Sequence, residues 1–589
     1  MRIHKTLLRF IDEELRQNDV AALASASGQI GFLQQLTDNK NVLRAALARI
    51  GTRPSSTTDG ERPAMSEVQA LAIERHDDQV RAFFVDAVLR ENPGLRRDMA
   101  EGMVESRAHF ISATSGTTTN TTLRSLEYLM RGATPLPGRK ILFFISEGFP
   151  LDYKGDVREY MRRVTDAAAR AGVVIYSLDA QGLTSGTQDA SSDRPPDPYG
   201  RLASTDMQEI SARQEPLQTI ASETGGRALI NTNAIGEAVN RALQETSVYY
   251  LLAWRPETIE GHGGAAKFHR IEVGLKGRTD LNVVMRRGFY DALPTTPGER
   301  PSAKKVKDKI ETPSAARPSP EHELAQAITS LYPRNALPTS LALGYVNSQN
   351  GATELTASVE LTREALHLLA NNTKENERVD AVVVVFDDRG TPVSSAKQEW
   401  SIPQAALAEA EIPRVVYTHN IALKPGLYQV RAATRHQQSG RTGSAMQWVE
   451  IPDVKRGQFS MSSIFVGERQ AKVAADGANQ EAPLSIELSV DRRFARTSFV
   501  RFMTFIYNAA ENPPAPPDVA LQVQMFRDDQ PVLTAPLKKI SIEGVTDRTR
   551  IPYAAELSLN TFPAGRYVLQ LTAIDRAAKI STSQRVTFT

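Results

Sequence analysis

At 589 residues the chain is too long for one hydrophobic core, and its length predicts roughly three to four domains of about 150 residues. With 41% hydrophobic and 23% charged residues, wholesale disorder is excluded, and 70 basic against 68 acidic residues leave no electrostatic footprint for nucleic acid or an anionic membrane. The absence of cysteine excludes disulfides, thiolate zinc sites and cysteine nucleophiles.

The first fifteen residues place apolar side chains at 3, 7, 8, 11 and 15, the spacing of an amphipathic helix. Charges interrupt every candidate signal-peptide core there, and no later segment approaches the ~20 apolar residues of a membrane span. Residues 19–25 and 30–36 read as short strands separated by Gly28, and Thr37-Asp38-Asn39-Lys40 offers an N-cap to a helix carrying Val42, Leu43, Ala46, Leu47 and Ile50. A helical insertion is expected over about 51–110, polar to residue 64 and amphipathic beyond it. Ser112 to Asn120 is a hydroxyl-rich loop, followed by a helix from Thr121 to about Arg131.

The run Gly138 to Pro150 holds five consecutive apolar residues, Ile141 to Ile145, then Ser146-Glu147-Gly148. That pattern is a strand buried on both faces, as parallel sheets require, with a carboxylate just past its carboxyl end. Ligands of open α/β sheets bind at that edge, which makes Glu147 a candidate site residue. A helix over 156–171, a strand Val173 to Asp179, a polar loop over 181–212 and a helix over 214–224 ending at Gly225-Gly226 continue the alternation. The strand Arg227 to Asn231, a helix over 234–245, and strands at Tyr249 to Trp254, Phe268 to Leu275 and Val283 to Arg286 complete it. Asp179 reads as a solvated turn carboxylate, and Tyr250 and Trp254 as core.

Residues 293–320 interleave six prolines with four lysines and read as a solvated linker. A short helix over 321–331 opens the remainder. Strands then follow one another, among them Glu354 to Leu361, Asp380 to Phe386, Arg414 to Leu423, Phe499 to Tyr507 and Val519 to Phe526. The phrases Pro425-Gly426-Leu427-Tyr428 and Pro563-Ala564-Gly565-Arg566-Tyr567 recur near the end of each series. This weak repeat predicts two β-sandwiches, over 321–452 and 453–589, each with a late strand carrying a buried tyrosine.

Gln17 to Leu23 with Leu36 to Asn39, Gly138 to Pro150, Tyr249 to Pro256 and Arg286 to Tyr290, in that order, resemble a von Willebrand factor type A (VWFA) domain of the variety found in secreted proteins of Acidobacteria and related soil bacteria. The resemblance covers residues 1–292. It implies a doubly wound, mostly parallel α/β sheet, followed here by two all-β immunoglobulin-like sandwiches. Many such domains hold a divalent cation at the carboxyl edge through Asp-x-Ser-x-Ser after the first strand, a threonine from a later loop and an aspartate after the fourth strand. By resemblance, Thr117, Thr118 or Thr119 supplies the threonine and Glu147 stands in the place of the aspartate; the Asp-x-Ser-x-Ser element has no counterpart. Mg²⁺, a hard ion with strict octahedral preference, is the implied cofactor only if such an element exists upstream, and the longer glutamate displaces its oxygens. The alternative roles are ordinary ones: helix capping by the threonines, loop fixing by Glu147.

In the family's sheet order the first strand lies between those matching residues 19–25 and 140–146. Unsatisfied buried backbone groups cost on the order of 1–3 kcal/mol each, so either the natural start lies upstream of Met1 or another segment fills the gap. The upstream start is the expectation: a signal peptide and an Asp-rich strand encoded directly before Met1, which a stop codon there would refute.

The nine histidines are scattered, Glu321-His322-Glu323 does not extend to His-Glu-x-x-His, and neither Gly-x-Ser-x-Gly nor a phosphate loop occurs. The functional expectation is a non-enzymatic, extracytoplasmic protein that binds an unidentified protein or a cell surface, with the metal site degenerate. The alternative is a metal-free structural or assembly scaffold.

Overall fold

The computed structural model describes residues 2–589 apart from 17–18, 27–34, 51–60, 135, 137, 152–156, 183–194, 196, 233–234, 251, 253–267, 279, 282, 291–318, 331, 348–352, 362–364, 366–367, 370–375, 404–414, 454–456, 471–487 and 511–515. The chain divides into two compact units, Met1–Glu14, Leu23–Ile30 and Ala46–Lys309 forming one, and Leu15–Ala22, Gly31–Ala45 and Ile310–Thr589 the other.

The amphipathic start folds as helix α1 (Arg2–Arg9), continued by one π-helical turn, Phe10–Glu14. Helix α2 (Lys40–Arg49) begins where the capping tetrad predicts, with Asn39 Oδ1 accepting from the Asn41 N–H at 2.9 Å. Three helices fill the predicted insertion. A reciprocal Ser66–Gln69 capping box starts α3 (Glu67–Glu74), Asp77 caps α4 (Asp78–Glu91), and α5 (Arg97–Gly132) runs on for 36 residues. Ile73, Phe83, Phe84, Val104 and Ile111 close a core among them. The hydroxyl-rich stretch 112–120 is therefore helix interior, where a loop was expected.

Strand β1 (Lys140–Ser146), helix α6 (Val157–Ala171), strand β2 (Val173–Asp179), helix α7 (Ala203–Thr224), strand β3 (Ala228–Leu229) and helix α8 (Ile235–Ser247) follow. The three strands form one parallel sheet in the order β1-β2-β3, with Lys140 opposite Val173 and Ser146 opposite Asp179. Its side chains alternate between two cores. Leu142 and Phe144 pack with residues of α5, α6 and α7; Phe143 and Ile145 pack with Ile3, Phe10, Val239 and Leu243 from the first turns of the chain and α8. Gly225, at φ +85°, ends α7 as the expected C-cap.

Several expected strands do not form. Of residues 19–25 only Ala21 joins a β-bridge, an isolated antiparallel one to Thr37; 35–36 form no strand, and the rest of 30–36 lies outside the described residues. Phe268 to Leu275 shortens to β4 (Phe268–Arg270), paired with β5 (Gly288–Tyr290), and 283–286 is irregular. Tyr250 is 93% exposed, not core, and Trp254 lies outside the described residues. Among the described residues β1 pairs only with β2, and Phe144 alone is buried in it, against six of seven residues in β2.

In the second unit, helix α9 (Pro320–Thr329) is capped by Ser319 and opens the all-β part. Strands β6 (Thr339–Asn347), β7 (Thr353–Leu361) and β10 (Val415–Leu423) form one antiparallel sheet. The facing sheet is β12-β11-β8-β9: β8 (Glu377–Asp387), β9 (Pro392–Ile402), β11 (Gly426–His436) and β12 (Thr442–Ile451). They share one core that includes Leu355, Val359, Val383 and Val430. Helix α9 seats Leu324, Ala327 and Ile328 on the outer face of the second sheet, where Arg431 Nη1 donates to Ile328 O at 2.5 Å. Burial pulls that guanidinium down to about 10.

The last series repeats the plan. One sheet holds β13 (Ser460–Met461), β14 (Phe465–Gln470), β15 (Ser498–Tyr507) and β19 (Arg550–Ser558). The other holds β16 (Val519–Arg527), β17 (Gln530–Thr534), β18 (Lys538–Lys539), β20 (Tyr567–Asp575) and β21 (Ile580–Phe588). Phe502, Ile551, Leu569 and Leu571 centre their common core. The recurring tyrosines are buried, Tyr428 in β11 and Tyr567 in β20, and the Tyr567 hydroxyl donates to Pro563 O at 2.6 Å.

A buried pair pins the end of β11: His436 Nε2 lies 2.6 Å from Glu377 Oε2, and Ser439 Oγ lies 2.8 Å from Nδ1. Both partners are about 2% exposed. His436→Ala removes a buried hydrogen bond to the Glu377 carboxylate and should cost about 1.5–3 kcal/mol. Tyr567→Phe removes one neutral hydrogen bond and should cost about 1 kcal/mol. Urea unfolding that gave the two variants equal midpoints would contradict this ranking.

Candidate functional site

The carboxyl edge of the parallel sheet is assembled from strand ends and three helices. Past β1, Ser146 Oγ accepts from the Gly148 N–H at 3.1 Å. Gly148 has φ +79°, and a Cβ there would lie 2.2 Å from Arg213 O, so the turn needs glycine to press its backbone onto α7. Glu147, between them, is exposed.

Arg213 Nε donates to Glu209 Oε1 at 2.9 Å, one turn earlier on α7, and Ser66 Oγ donates to Glu209 Oε2 at 2.7 Å. Glu67, in the first turn of α3, joins them. Burial pushes its carboxyl above the usual range, Arg213 opposes that rise, the charges of Glu209 and Glu147 add to it, and a hydrogen bond with Ser115 of α5 opposes it. Below β2, Asp179 is 2% exposed. Its oxygens accept from Gln214 Nε2 at 2.8 Å and the Gln181 N–H at 2.9 Å, and Gln214 Nε2 also reaches Asn231 Oδ1, past β3, at 3.2 Å. The solvated turn carboxylate expected at Asp179 is thus a buried, hydrogen-bonded one.

The three threonines do not converge. Successive residues of a helix point about 100° apart, so neighbours at i and i+1 never share a face. On α5 the Thr117 hydroxyl donates to Ala113 O at 2.9 Å, the Thr118 hydroxyl donates to Thr114 O at 3.1 Å, and both residues are exposed, whereas Thr119 is buried. Among the described residues no group of three or more His, Cys, Asp or Glu is placed to hold a metal ion. This donor set does not fit Mg²⁺, which demands near-ideal octahedral oxygen geometry.

Glu147 lies just past the carboxyl end of β1, where its charge acts on Glu67; Glu67 with Ser115 and Arg213, Glu209 paired with Arg213, and Gln214 bonded to Asp179 were all absent from the sequence reading. One local signal was available, the i,i+4 spacing of Glu209 and Arg213, a helical ion pair in a stretch read as loop. The described edge offers carboxylates, a guanidinium, hydroxyls and amides, all suited to polar recognition.

No family model matches the chain, and no curated protein matches it. Among solved structures it is similar to a beta-glucuronidase of Parabacteroides merdae, with a TM-score of 0.15 and 12% identity over 43% of this chain and 29% of that one. It is also similar to a structure titled pT26-6p, with a TM-score of 0.12 and 7% identity over 46% of this chain and 68% of that one. Likeness this slight carries no argument about fold or activity.

The raised Glu67 carboxyl fixes a sign. Between the unfolded and folded pKa the folded state binds the extra proton, so the group's contribution to stability is full below the unfolded pKa and is lost as pH rises through the folded one. Glu67→Gln should therefore raise Tm at pH 7 and leave it unchanged near pH 4. A Tm gain of equal size at both pH values would remove the linkage.

Proposed function

We propose that this chain is a non-enzymatic binding protein, a VWFA-like α/β unit carried with two immunoglobulin-like sandwiches, which engages a protein partner outside the cytoplasm without a bridging cation. The observation that supports the reading best is Glu147: an exposed carboxylate at the ligand edge of a parallel sheet, set among charged and hydroxyl groups that already satisfy one another. A partner presenting Lys or Arg complements such an edge directly, which makes binding sensitive to salt and to charge reversal.

The faces of the sheet agree with a doubly wound unit, since helices cover both. The Tyr567 hydroxyl bonded four residues upstream, at the start of a late strand, is the corner that immunoglobulin-like sandwiches use, and it favours that class for the second series.

The test attaches a photo-crosslinker at position 147 of the full chain, identifies what it captures from the producing cell's envelope, and measures the affinity of that partner. Glu147→Lys should weaken binding at least tenfold, and EDTA should leave it unchanged. EDTA-sensitive binding would restore a cation-bridged mechanism. Binding indifferent to Glu147→Lys would place the partner elsewhere and favour the scaffold role.

A further inference from the structure

Helix α5 buries one side in two cores and turns the other to solvent. On that outer side Met99, Met103, Phe110 and Tyr128 are 56%, 51%, 69% and 55% exposed. Ser106, Ala113, Thr117, Thr121 and Arg124, all exposed, join them into one stripe that advances in steps of three and four residues along the helix. Steps of that size keep to one side of a helix of 3.6 residues per turn, and repeated they form the seam by which one helix packs on another.

The seam is symmetric about its middle, just past Ala113. Met99 and Tyr128, Met103 and Arg124, Ser106 and Thr121, and Phe110 and Thr117 stand at equal distances on either side of that point. A second copy turned end for end about a two-fold axis there sets every seam position opposite another, which is the self-complementarity such an interface requires. Met99 then meets Tyr128 at the ends, Phe110 faces the smaller Thr117, and the small Ala113 lies at the axis. Charge selects the same orientation. The seam is uncharged from Met99 to Thr121; its one cation, Arg124, falls opposite Met103, and its guanidinium is drawn aside by a hydrogen bond from Nη2 to the Tyr160 hydroxyl at 2.6 Å. A parallel pair would set Arg124 against its own copy, whereas antiparallel helix dipoles attract.

Covering the seam strands no threonine hydroxyl, because those of Thr117 and Thr121 already donate to the carbonyls four residues back, both at 2.9 Å. Each of the four large side chains leaves roughly 100 Å² outside the fold. With the smaller positions, two copies together would withdraw on the order of 1,200–1,500 Å² from water, within the range of a specific interface. We propose that α5 is the interface of a two-fold homodimer, its partner being the antiparallel α5 of a second copy. Ser115, which meets Glu67, projects from the opposite side of the helix, so the edge carrying Glu147 stays open in each copy and the dimer presents two of them.

The test is sedimentation equilibrium of the full chain, in which a dimer is expected at about 10 µM. Phe110→Glu, at an exposed position, should leave Tm unchanged and weaken dimerisation at least tenfold. A monomer at about 100 µM, or a dimer indifferent to Phe110→Glu, overturns the proposal; the first outcome would assign the seam to a different protein. Orientation is read by a short bismaleimide, since the chain has no cysteine of its own. A mixture of Met99→Cys and Tyr128→Cys chains should crosslink, and Met99→Cys alone should not, because the two copies of position 99 lie about 44 Å apart along the antiparallel pair. Crosslinking of Met99→Cys to itself, or none in the mixture, overturns the antiparallel seam even if Phe110→Glu fails to fold.

Discussion

Continuity of α5 is the constraint on which the α/β unit depends. Its first half contributes Ala100, Val104, Ala108 and Ile111 to the core shared with α3 and α4, and its second half contributes Leu123, Leu126 and Met130 to the core beneath the sheet. The helix is about 54 Å long at 1.5 Å per residue, and its middle is a poor helix-forming sequence. Nine Ser, Thr and Asn residues and Gly116 lie between 112 and 122 and cost about 6 kcal/mol of propensity relative to alanine. Five large buried side chains, Val104, Ile111, Leu123, Leu126 and Met130, return about 8–15 kcal/mol, so burial at both ends carries the middle. The hydroxyls then join the helix: those of Thr114, Thr117, Thr118, Thr121 and Ser125 each donate to the carbonyl four residues back.

That arrangement sets the candidate site. Ser115 meets Glu67 because α5 passes the start of α3 without a break, and Glu209 of α7 accepts from Ser66 at the N-cap of the same α3. Gly148 then fixes how near the end of β1 can come to α7. Strand ends supply Glu147 and Asp179, while Gln214, which bonds Asp179, and Glu67, on which the charge of Glu147 acts, come from helices far away in sequence.

This explains what could be read from the chain. Strand β2 was legible from Val173 to Asp179 because four strong β-formers, Val173 to Tyr176, follow Gly172 and the run ends in a carboxylate. Helix α7 was legible only from 214 because Pro216 looks like a helix start, and the turns before it, Ala203 to Arg213, are polar. The loop reading of 112–120 weighed local propensity and passed over phase, although the buried positions 104, 108, 111, 119, 123, 126 and 130 keep one helical period across it. Glu147 was visible because a strand end is a local feature. Glu67 and Arg213 were not, since neither carries a mark of function within its own helix.

The two sandwiches show a different economy. Where the first meets the second, apolar area is joined by buried hydroxyls: Tyr345 OH donates to Met461 O at 2.9 Å and accepts from Gln584 Nε2 at 3.0 Å, and Tyr507 OH accepts from the Asn347 N–H at 2.9 Å. Burial pushes both phenols further up from a value already near 10, so each remains a protonated donor throughout the physiological range. A hydroxyl in this setting has a fixed partner and a fixed direction, which apolar contact alone does not impose. The junction is therefore registered by directional hydrogen bonds of Tyr345 and Tyr507, which fix how the two sandwiches meet.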